Sequence, residues 1–394
     1  MFPILSEPAS ALAAVSGPVP RIRSLLIKPA SAICNLDCEY CFYLDRETDP
    51  YTGLAKRTMS LATLEKLVEG YLFYSAPESA FAFQGGEPTL AGLPFFEKLV
   101  EFQKRHGRGG QSVSNSLQTN GILIDRDWCD LFRDYSFLVG LSLDGPEEMH
   151  DRYRFNKAGH GTASKVVETL RMLQNRQIEY SVLCVVSQSN VAHAAEVFAF
   201  FRKLGVEYVQ FIPCAEFHPD GTPMPFAINA QEYGKFLCEI FDLWWPERRQ
   251  IGVRFFDNIA EALAGRKPGT CTMHESCDSY AVVEYNGDVF PCDFFVEKSW
   301  KLGNVMTDSW TEIARRQRRA NFAVKKAEPH AECAVCEYRS ICHGGCPSLR
   351  HNRNQRFEDL DWFCGAYKQI FAKSVPVLSE EVRKLLGVEP ALTA

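Results

Sequence analysis

Strand-like and helix-like segments alternate along the first half of the chain, and this alternation restricts the fold more than any other feature. The strand candidates are rich in Val, Ile, Leu and Phe, and several are apolar throughout, as strands buried on both faces are. Strands joined by crossover helices form a parallel sheet, so we predict an α/β fold, either an open doubly wound sheet or an incomplete barrel. Either architecture places the ligand site at the carboxyl ends of the strands. The candidates are Ser24–Lys28, Ala80–Gln84, Ser112–Thr119, Phe137–Leu143, Tyr180–Val186 and Tyr208–Ile212.

Segments with helical periodicity lie between these strands. Ser60 is expected to cap a helix in which Leu64, Leu67 and Val68 lie on one apolar face. After Pro213 the pattern changes to further helices and then to a hairpin, for which Asn286-Gly287 predicts a primed turn. A basic stretch, 315–326, is interpreted as a solvated helix face. The other helix candidates are Leu93–Arg105, Thr162–Asn175, Asn190–Leu204, Asn229–Trp245 and Phe255–Leu263, and the hairpin strands are Tyr280–Tyr285 and Asp288–Pro291.

Charge and hydropathy exclude two classes of partner. Lys and Arg number 43 against 49 Asp and Glu, a net charge of −6, and this mild acidic excess argues against a general nucleic-acid binder. No apolar run reaches the roughly 18 residues that a membrane span needs. Residues 1–20 lack the charged start of a secretory signal and are expected to form a flexible leader. We therefore expect a cytoplasmic protein, in which disulfides are disfavoured.

Fifteen cysteines in such a chain indicate metal binding or redox chemistry rather than disulfides. Cys34, Cys38 and Cys41 follow the first strand with the spacing C-x3-C-x2-C. Three thiolates on one tight loop can hold three irons of a [4Fe–4S] cluster and leave the fourth iron open to another ligand. A zinc loop is the alternative, but structural zinc takes four ligands and no nearby His or Cys completes the set.

A second group of eight cysteines lies between residues 271 and 364, enough for two fully ligated four-iron clusters. A pair of structural zinc sites is the alternative, although two of the spacings are long for zinc ribbons. Four more cysteines, Cys129, Cys184, Cys214 and Cys238, stand singly in apolar segments and are expected to be inert. The group of eight is Cys271, Cys277, Cys292, Cys333, Cys336, Cys342, Cys346 and Cys364.

The segment Gln84-Gly85-Gly86-Glu87-Pro88 ends the second strand candidate, where glycines permit close backbone approach and a carboxylate can take an ammonium group. Together with the cysteine loop it resembles the radical S-adenosylmethionine enzymes. That resemblance implies that the open iron binds the amino and carboxylate groups of S-adenosylmethionine and that this segment holds the amino group. Arg154 would pair with the carboxylate, or is simply a surface arginine. Thr119, Asn120, Ser142 and Asp144 lie at strand ends within reach of the cofactor.

The C-terminal cysteines resemble the SPASM extension of that superfamily, which carries two auxiliary clusters. The resemblance, and not the spacing, divides the ligands: Cys271, Cys277, Cys292 and Cys346 for one cluster, and Cys333, Cys336, Cys342 and Cys364 for the other. The implied organisation is a leader (1–20), a partial (β/α)6 barrel (21–228), a helical linker (229–270), the SPASM domain with its hairpin and helices (271–373), and a C-terminal helix and tail (374–394).

Four motifs narrow the resemblance to the anaerobic sulfatase-maturating enzymes over about residues 24 to 373. They are Cys34-Asn-Leu-Asp-Cys38-Glu-Tyr-Cys41-Phe-Tyr-Leu44, Phe81-Ala-Phe-Gln-Gly-Gly-Glu-Pro-Thr89, Leu117-Gln-Thr-Asn-Gly121 and Pro291-Cys-Asp-Phe294. The implied reaction is oxidation of a sulfatase Cys or Ser to Cα-formylglycine, started by a 5′-deoxyadenosyl radical that takes hydrogen from the target Cβ. Asp293, next to cluster ligand Cys292, is the candidate base.

Tyr43 and Gln84 resemble positions that contact the substrate, although Tyr43 is also placed to pack on the cluster loop. The implied substrate is an extended, unfolded sulfatase segment, and the implied electron donor is a flavodoxin or ferredoxin. Two other functions stay open on the sequence. One is a different SPASM enzyme that modifies a peptide, for example by thioether formation. The other is a zinc-binding interaction module without catalysis.

Overall fold

The computed structural model describes residues 21–43, 50–51, 58–278 and 280–387. The predicted leader and the end of the predicted tail lie outside these residues. The strands are β1 (Ser24–Lys28), β2 (Glu78–Phe83), β3 (Ser112–Thr119), β4 (Leu138–Ser142), β5 (Tyr180–Val186), β6 (Tyr208–Pro213), β7 (Gly252–Val253), β8 (Tyr280–Glu284), β9 (Asp288–Phe290) and β10 (Gly303–Asn304).

Helices account for most of the remaining described residues. They are α1 (Leu61–Ser75), α2 (Leu93–His106), α3 (Arg126–Asp134), α4 (Glu147–His150), α5 (Ala163–Asn175), α6 (Ala194–Leu204), α7 (Ala230–Trp244), α8 (Arg254–Leu263), α9 (Trp310–Arg315), α10 (Gln317–Ala327), α11 (Arg339–Cys342), α12 (Pro347–His351) and α13 (Cys364–Leu386). None of the described helices is long and apolar enough to cross a membrane.

The chain divides into two compact units, each assembled from segments that are distant in sequence. Among the described residues, the first unit contains 21–33, 50–51, 58–115, 276–278 and 280–325, and the second contains 34–43, 116–275 and 326–387. The domain boundaries proposed from the sequence follow the chain instead, and they stay a prediction.

In the first unit, β1 lies between β2 and β8 and is parallel to both. The hairpin β8–β9 extends this sheet with antiparallel pairing, and β10 continues it. The register places Lys28, the last residue of β1, directly beside Glu284, the last residue of β8. Because both strands are parallel here, two charged side chains meet at the carboxyl edge of the sheet. Ser60 caps helix α1 as predicted, because its side chain accepts a hydrogen bond from the Thr63 backbone N–H.

In the second unit, the end of β3 and strands β4, β5, β6 and β7 pair in chain order, all parallel. Their inward side chains, such as Val139, Val182 and Val209, are fully buried. Right-handed crossovers through helices are the usual way to join such strands. Cys129, Cys184 and Cys214 are buried and Cys238 is partly buried, in agreement with the expectation of core cysteines.

The α/β class with a mainly parallel sheet is therefore confirmed, and the six predicted strands are all present with shifts of at most two residues at their ends. Two predictions are wrong. The hairpin turn is not a primed two-residue turn, because Gly287 has a φ of +85° while Asn286 is not among the positive-φ residues, so a three-residue loop closes it. The basic stretch is not simply a solvated face, because Arg319 and Lys326 within it are buried.

Candidate functional site: cluster cysteines, strand-end polar groups and a buried carboxylate

The first cysteine loop belongs to the second unit and is fixed by backbone hydrogen bonds. The backbone N–H groups of Asp37 and Glu39 donate to the carbonyl oxygens of Phe155 and Tyr153, at 2.9 and 3.0 Å. Two donors point at the Cys34 sulfur: the Leu36 backbone at 3.4 Å and the Asn120 side-chain amide at 3.7 Å. Donors directed at sulfur are characteristic of iron–sulfur ligands, whose negative charge they stabilise. Three free thiols on one such loop fit the three-ligand cluster that the sequence predicts.

The pKa of the Cys38 thiol is raised to about 12, chiefly by burial; Arg154 opposes the rise, and the neighbouring thiols contribute to it. A bare Cys38 is therefore protonated at neutral pH, and metal binding would have to displace the proton. Within the described part of the chain, no three His, Cys, Asp or Glu side chains are arranged to hold a single metal ion.

Tyr40, inside the cysteine loop, joins a buried network that the sequence analysis did not single out. Its hydroxyl donates to Asp144, and Arg154 pairs with the same carboxylate at 2.9 Å. The other Asp144 oxygen accepts from the Val185 backbone at 2.8 Å. Asp144 thus connects the cysteine loop to the end of β5. Arg154 is 9% exposed, so it is not a surface arginine, and its contact with a cofactor carboxylate stays a prediction.

The remaining strand-end residues of the second unit lie where they were predicted and are buried. The Thr119 hydroxyl accepts from the Gly121 backbone at 3.0 Å, and the Asn120 amide also donates to Asn35 at 2.8 Å. The Ser142 hydroxyl accepts from Gln118 at 3.0 Å. Asn120 therefore links the end of β3 to the loop that bears Cys34, and its contact with the cofactor stays a prediction.

In the first unit, the Gly85-Gly86-Glu87 segment packs on the backbone that leads into Cys34. The backbone N–H groups of Gly86 and Glu87 donate to the carbonyl oxygens of Ser31 and Ile33, both at 2.8 Å. A Cβ on Gly85 would lie 2.5 Å from the Ser31 oxygen, and one on Gly86 would lie 2.1 Å from the Ile33 oxygen. Side chains at these two positions would break the contact, so the glycines are required by close approach.

Glu87 is fully buried, and its carboxylate accepts from the Thr89 backbone at 3.0 Å and from the Thr89 hydroxyl at 2.6 Å. A carboxylate oriented in this way fits the predicted role of holding an ammonium group. Gln84, at the end of β2, is partly buried. Tyr43 in the second unit packs on Phe42, with ring centroids 4.1 Å apart, which accords with packing on the cluster loop; its substrate contact stays a prediction.

Asp293 opens a short 3-10 helix directly after β9 and Cys292 in the first unit. It is 4% exposed, and its carboxylate lies 3.2 Å from the Lys28 ammonium. The same ammonium lies 2.7 Å from Glu284. Burial raises the pKa of Glu284, against the lowering effect of Lys28. The Cys292 sulfur accepts from the Tyr280 hydroxyl at 3.2 Å. The candidate base is therefore a buried carboxylate beside the predicted cluster ligand Cys292, not a surface residue.

Cysteines of the C-terminal group that lie in the second unit form two arrangements. Four of them line one cavity together with Asp361 and Tyr367, and these are the four assigned to one auxiliary cluster: Cys333, Cys336, Cys342 and Cys364. The pKa of the Cys346 thiol is raised to about 11, chiefly by burial and in part by the nearby Cys271. Lys326 donates to the carbonyls of Thr272, at 3.0 Å, and Gly345, which flank those two cysteines in the chain.

The most informative residues missed by the sequence analysis are Tyr40, Lys28, Glu284 and Lys326. Tyr40 was within reach of motif reading, because it immediately precedes the third cysteine of the loop. Lys28 and Glu284 each end an apolar strand with a charge, an unusual place for one in a buried sheet. Nothing in the sequence distinguishes Lys326 as a buried residue, since it ends a run of basic residues.

Comparisons with known proteins identify the family of the chain. The Radical SAM superfamily model matches residues 29–201, and the model of an iron–sulfur cluster-binding domain, SPASM, matches residues 271–337. A cysteine-type anaerobic sulfatase-maturating enzyme from Clostridium perfringens is 36% identical over 359 residues, covering 90% of this chain and 97% of the relative. A serine-type enzyme from Bacteroides thetaiotaomicron is 34% identical over 384 residues, covering 92% of both.

A solved structure described as native anSMEcpe with bound AdoMet and Cp18Cys peptide superposes with a TM-score of 0.85. It is 36% identical in sequence, and the match covers 92% of this chain and 99% of that one. This similarity confirms the partial-barrel fold with a C-terminal SPASM domain. The chain belongs to the anaerobic sulfatase-maturating enzymes of the radical SAM superfamily.

Proposed function

We propose that Asp293 is the base through which this radical SAM oxidoreductase converts an active-site Cys or Ser of a sulfatase to Cα-formylglycine. The observation that carries the proposal is the placement of Asp293, which is buried, directly follows Cys292 and lies 3.2 Å from the Lys28 ammonium. A carboxylate held beside a redox centre is suited to take a proton as an electron leaves.

The chemistry divides between cofactors and chain. When bound, S-adenosylmethionine and the reduced first cluster supply a 5′-deoxyadenosyl radical that takes a hydrogen atom from the target Cβ, and the auxiliary clusters supply an acceptor for one electron. The target thiol or hydroxyl must lose its proton as that electron leaves, and Asp293 accepts the proton. A serine target then becomes the aldehyde directly. A cysteine target becomes a thioaldehyde, which water hydrolyses to the aldehyde with release of hydrogen sulfide.

The other roles follow the predicted assignments. The first cluster would be held by Cys34, Cys38 and Cys41. The amino group of S-adenosylmethionine would lie against the Gln84–Glu87 segment, whose close packing in the first unit fixes the Glu87 carboxylate. The remaining cofactor contacts would come from Thr119, Asn120, Ser142, Asp144 and Arg154. The auxiliary clusters would take Cys271, Cys277, Cys292 and Cys346, and Cys333, Cys336, Cys342 and Cys364.

The substrate would bind as an extended sulfatase segment that contacts Tyr43 and Gln84, with main-chain hydrogen bonds supplying part of the affinity. The electron donor would be a small flavodoxin or ferredoxin. Thiol-ligated clusters need a reducing compartment, which favours the cytoplasm as the place of reaction.

The test is mass spectrometry on an anaerobic reaction of cluster-reconstituted protein, S-adenosylmethionine, a strong reductant and a peptide with a Cys-x-Pro-x-Arg segment. A matching Ser peptide is run in parallel. We expect the target residue to become an aldehyde in the wild type, and Asp293→Asn to lower the rate by roughly 100-fold or more. Asp288→Asn is a matched control, because Asp288 is also buried, belongs to the same hairpin and pairs with Lys301 at 2.6 Å.

The outcomes separate the parts of the proposal. Full activity of Asp293→Asn would remove Asp293 from the mechanism and leave the reaction itself intact. Cleavage of S-adenosylmethionine with both peptides unchanged would point to a different peptide modification, such as thioether formation. Equal losses in the Asp288 and Asp293 variants would indicate damage to the hairpin rather than loss of a base.

A further inference from the structure

Lys28 occupies an unusual place for a lysine, fully inside the first unit at the carboxyl end of β1. Its side chain is 4% exposed, and those of Glu284 and Asp293 are 1% and 6% exposed. The ammonium lies 2.7 Å from Glu284 and 3.2 Å from Asp293. One buried cation is thus shared by two buried carboxylates, only one of which is adjacent to a cluster ligand.

The backbone alone places Lys28 and Glu284 side by side, independently of the attraction between their charges. Lys28 and Glu284 are direct neighbours in the parallel register of β1 and β8. The lysine stem is also confined, since a Cβ built on Gly85 would lie 3.3 Å from its Cβ and Cγ atoms. The ammonium therefore has a defined position that does not depend on Asp293. Asp293, by contrast, follows the end of β9 in a short 3-10 helix.

Fold stability alone gives a poor reason for this arrangement. Removing charges from water costs several kcal/mol per ion, and a well-packed apolar pair in the same place is often equally stable or more so. This site instead places two carboxylates and one ammonium in the interior. Such a group is better suited to orient a carboxylate than to stabilise a sheet.

We propose that Lys28 is a positioning residue for Asp293, and that Glu284 anchors Lys28. The inference rests on the proposed role of Asp293 as the base. Lys28 takes no proton from the substrate. Its ammonium holds one carboxylate oxygen of Asp293 and so fixes the direction in which the carboxylate meets the target thiol or hydroxyl. Without it, hydrogen abstraction from the substrate would still start, but proton removal would become slow.

The test compares wild-type holoenzyme with Lys28→Met, which keeps the length of the side chain and removes the charge. The readout is the ratio of 5′-deoxyadenosine to formylglycine, measured with iron content and with kcat and KM for the peptide. We expect that ratio to rise about tenfold or more and kcat for formylglycine to fall by a similar factor, with iron content and KM nearly unchanged. Lys28→Arg, which retains a cation, should restore part of the coupling.

Lys301→Met is the matched control, because Lys301 pairs with the hairpin residue Asp288 at 2.6 Å and has no role in the proposal. Its ratio of products should equal that of the wild type. A folded, iron-replete Lys28→Met enzyme with wild-type coupling would overturn the inference. If Asp293→Asn is inactive in the same assay, Asp293 remains the proposed base and only the positioning role of Lys28 is lost. A fully active Asp293→Asn would instead contradict both the base role of Asp293 and the positioning role of Lys28.

Glu284→Gln gives a second route that does not depend on how Lys28→Met folds. It retains Lys28 and Asp293 and removes only the anchor. We expect the ratio of 5′-deoxyadenosine to formylglycine to rise in the same direction and by less. Unchanged coupling in this variant, with iron content retained, would contradict the anchoring role of Glu284 and the positioning that depends on it.

Discussion

Two lysines are buried among the described residues, one in each unit, and they face different kinds of oxygen atom. Lys28 in the first unit lies against the carboxylates of Glu284 and Asp293. Lys326 in the second unit donates to the backbone carbonyls of Thr272 and Gly345. Carboxylates can exchange protons and carbonyls cannot. The difference accords with the proposed role of the first lysine beside a base, and it suits the second lysine to join the chain segments that carry Cys271 and Cys346.

The largest effect is expected from Lys326→Met. It leaves two carbonyls next to Cys271 and Cys346 without a charged donor, at a cost of about 3 kcal/mol or more in the free energy of unfolding. We expect the reconstituted variant to lose about four iron atoms per chain, one cluster's complement. Iron analysis and urea unfolding measure the two effects. Lys373→Met, which breaks the exposed pair with Asp242, is the control. Wild-type iron content would contradict this role for Lys326.

The next effect comes from the ion pairs of Lys28. Lys28→Met leaves Glu284 and Asp293 buried without their cation, so the free energy of unfolding should fall by about 3–5 kcal/mol. Adding Glu284→Gln removes one of the two carboxylates that lose the Lys28 cation and should recover a substantial part of that loss. Urea unfolding of the two single variants and the double variant gives the coupling. Strictly additive losses would mean that the two side chains do not interact.

The smallest effect is on pH dependence. Because burial raises the pKa of Glu284 above its ordinary value of 4.5, the folded state binds more protons than the unfolded state between the two values. This contribution to stability is complete below pH 4.5 and is lost as the pH rises through the folded pKa. The groups facing Glu284 are Lys28, Asp293 and Ser31. Glu284→Gln should flatten this part of the unfolding profile, while substitution of the exposed Glu69 should not. An unaltered profile in Glu284→Gln would count against the raised pKa.

Sequence patterns predicted strands β1–β6, β8 and β9, helices α1, α2 and α5–α8, and the cysteine groups, because each depends on local order along the chain. Hydrophobic runs mark the strands, and thiol spacing marks a cluster loop. Helix α3 (Arg126–Asp134) was not predicted, and the hairpin loop has one more residue than expected. In that loop Asn-Gly indicates where the chain turns, but the backbone angle of Asn286 decides which turn forms.

The same reasoning did not predict contacts between residues that are distant in the chain. The pairing of Tyr40 with Asp144 joins positions that are 104 residues apart, and nothing local to either predicts it. The buried state of Lys326 was missed for a related reason, since charge alone favours an exposed position. The roles of Asp293 and of the cofactor contacts remain predictions that the resemblance supplied.

The register of β1 also bears on how the chain is made. Its neighbour β8 emerges from the ribosome roughly 250 residues after Lys28, which at about 5–20 residues per second is a delay on the order of ten to fifty seconds. Throughout that time the edge of β1 that pairs with β8 is open, and Glu284 has not yet been synthesised to pair with Lys28. Until synthesis passes the hairpin, a nascent chain in this condition presents an open strand edge to other chains, and such an edge is a site of aggregation.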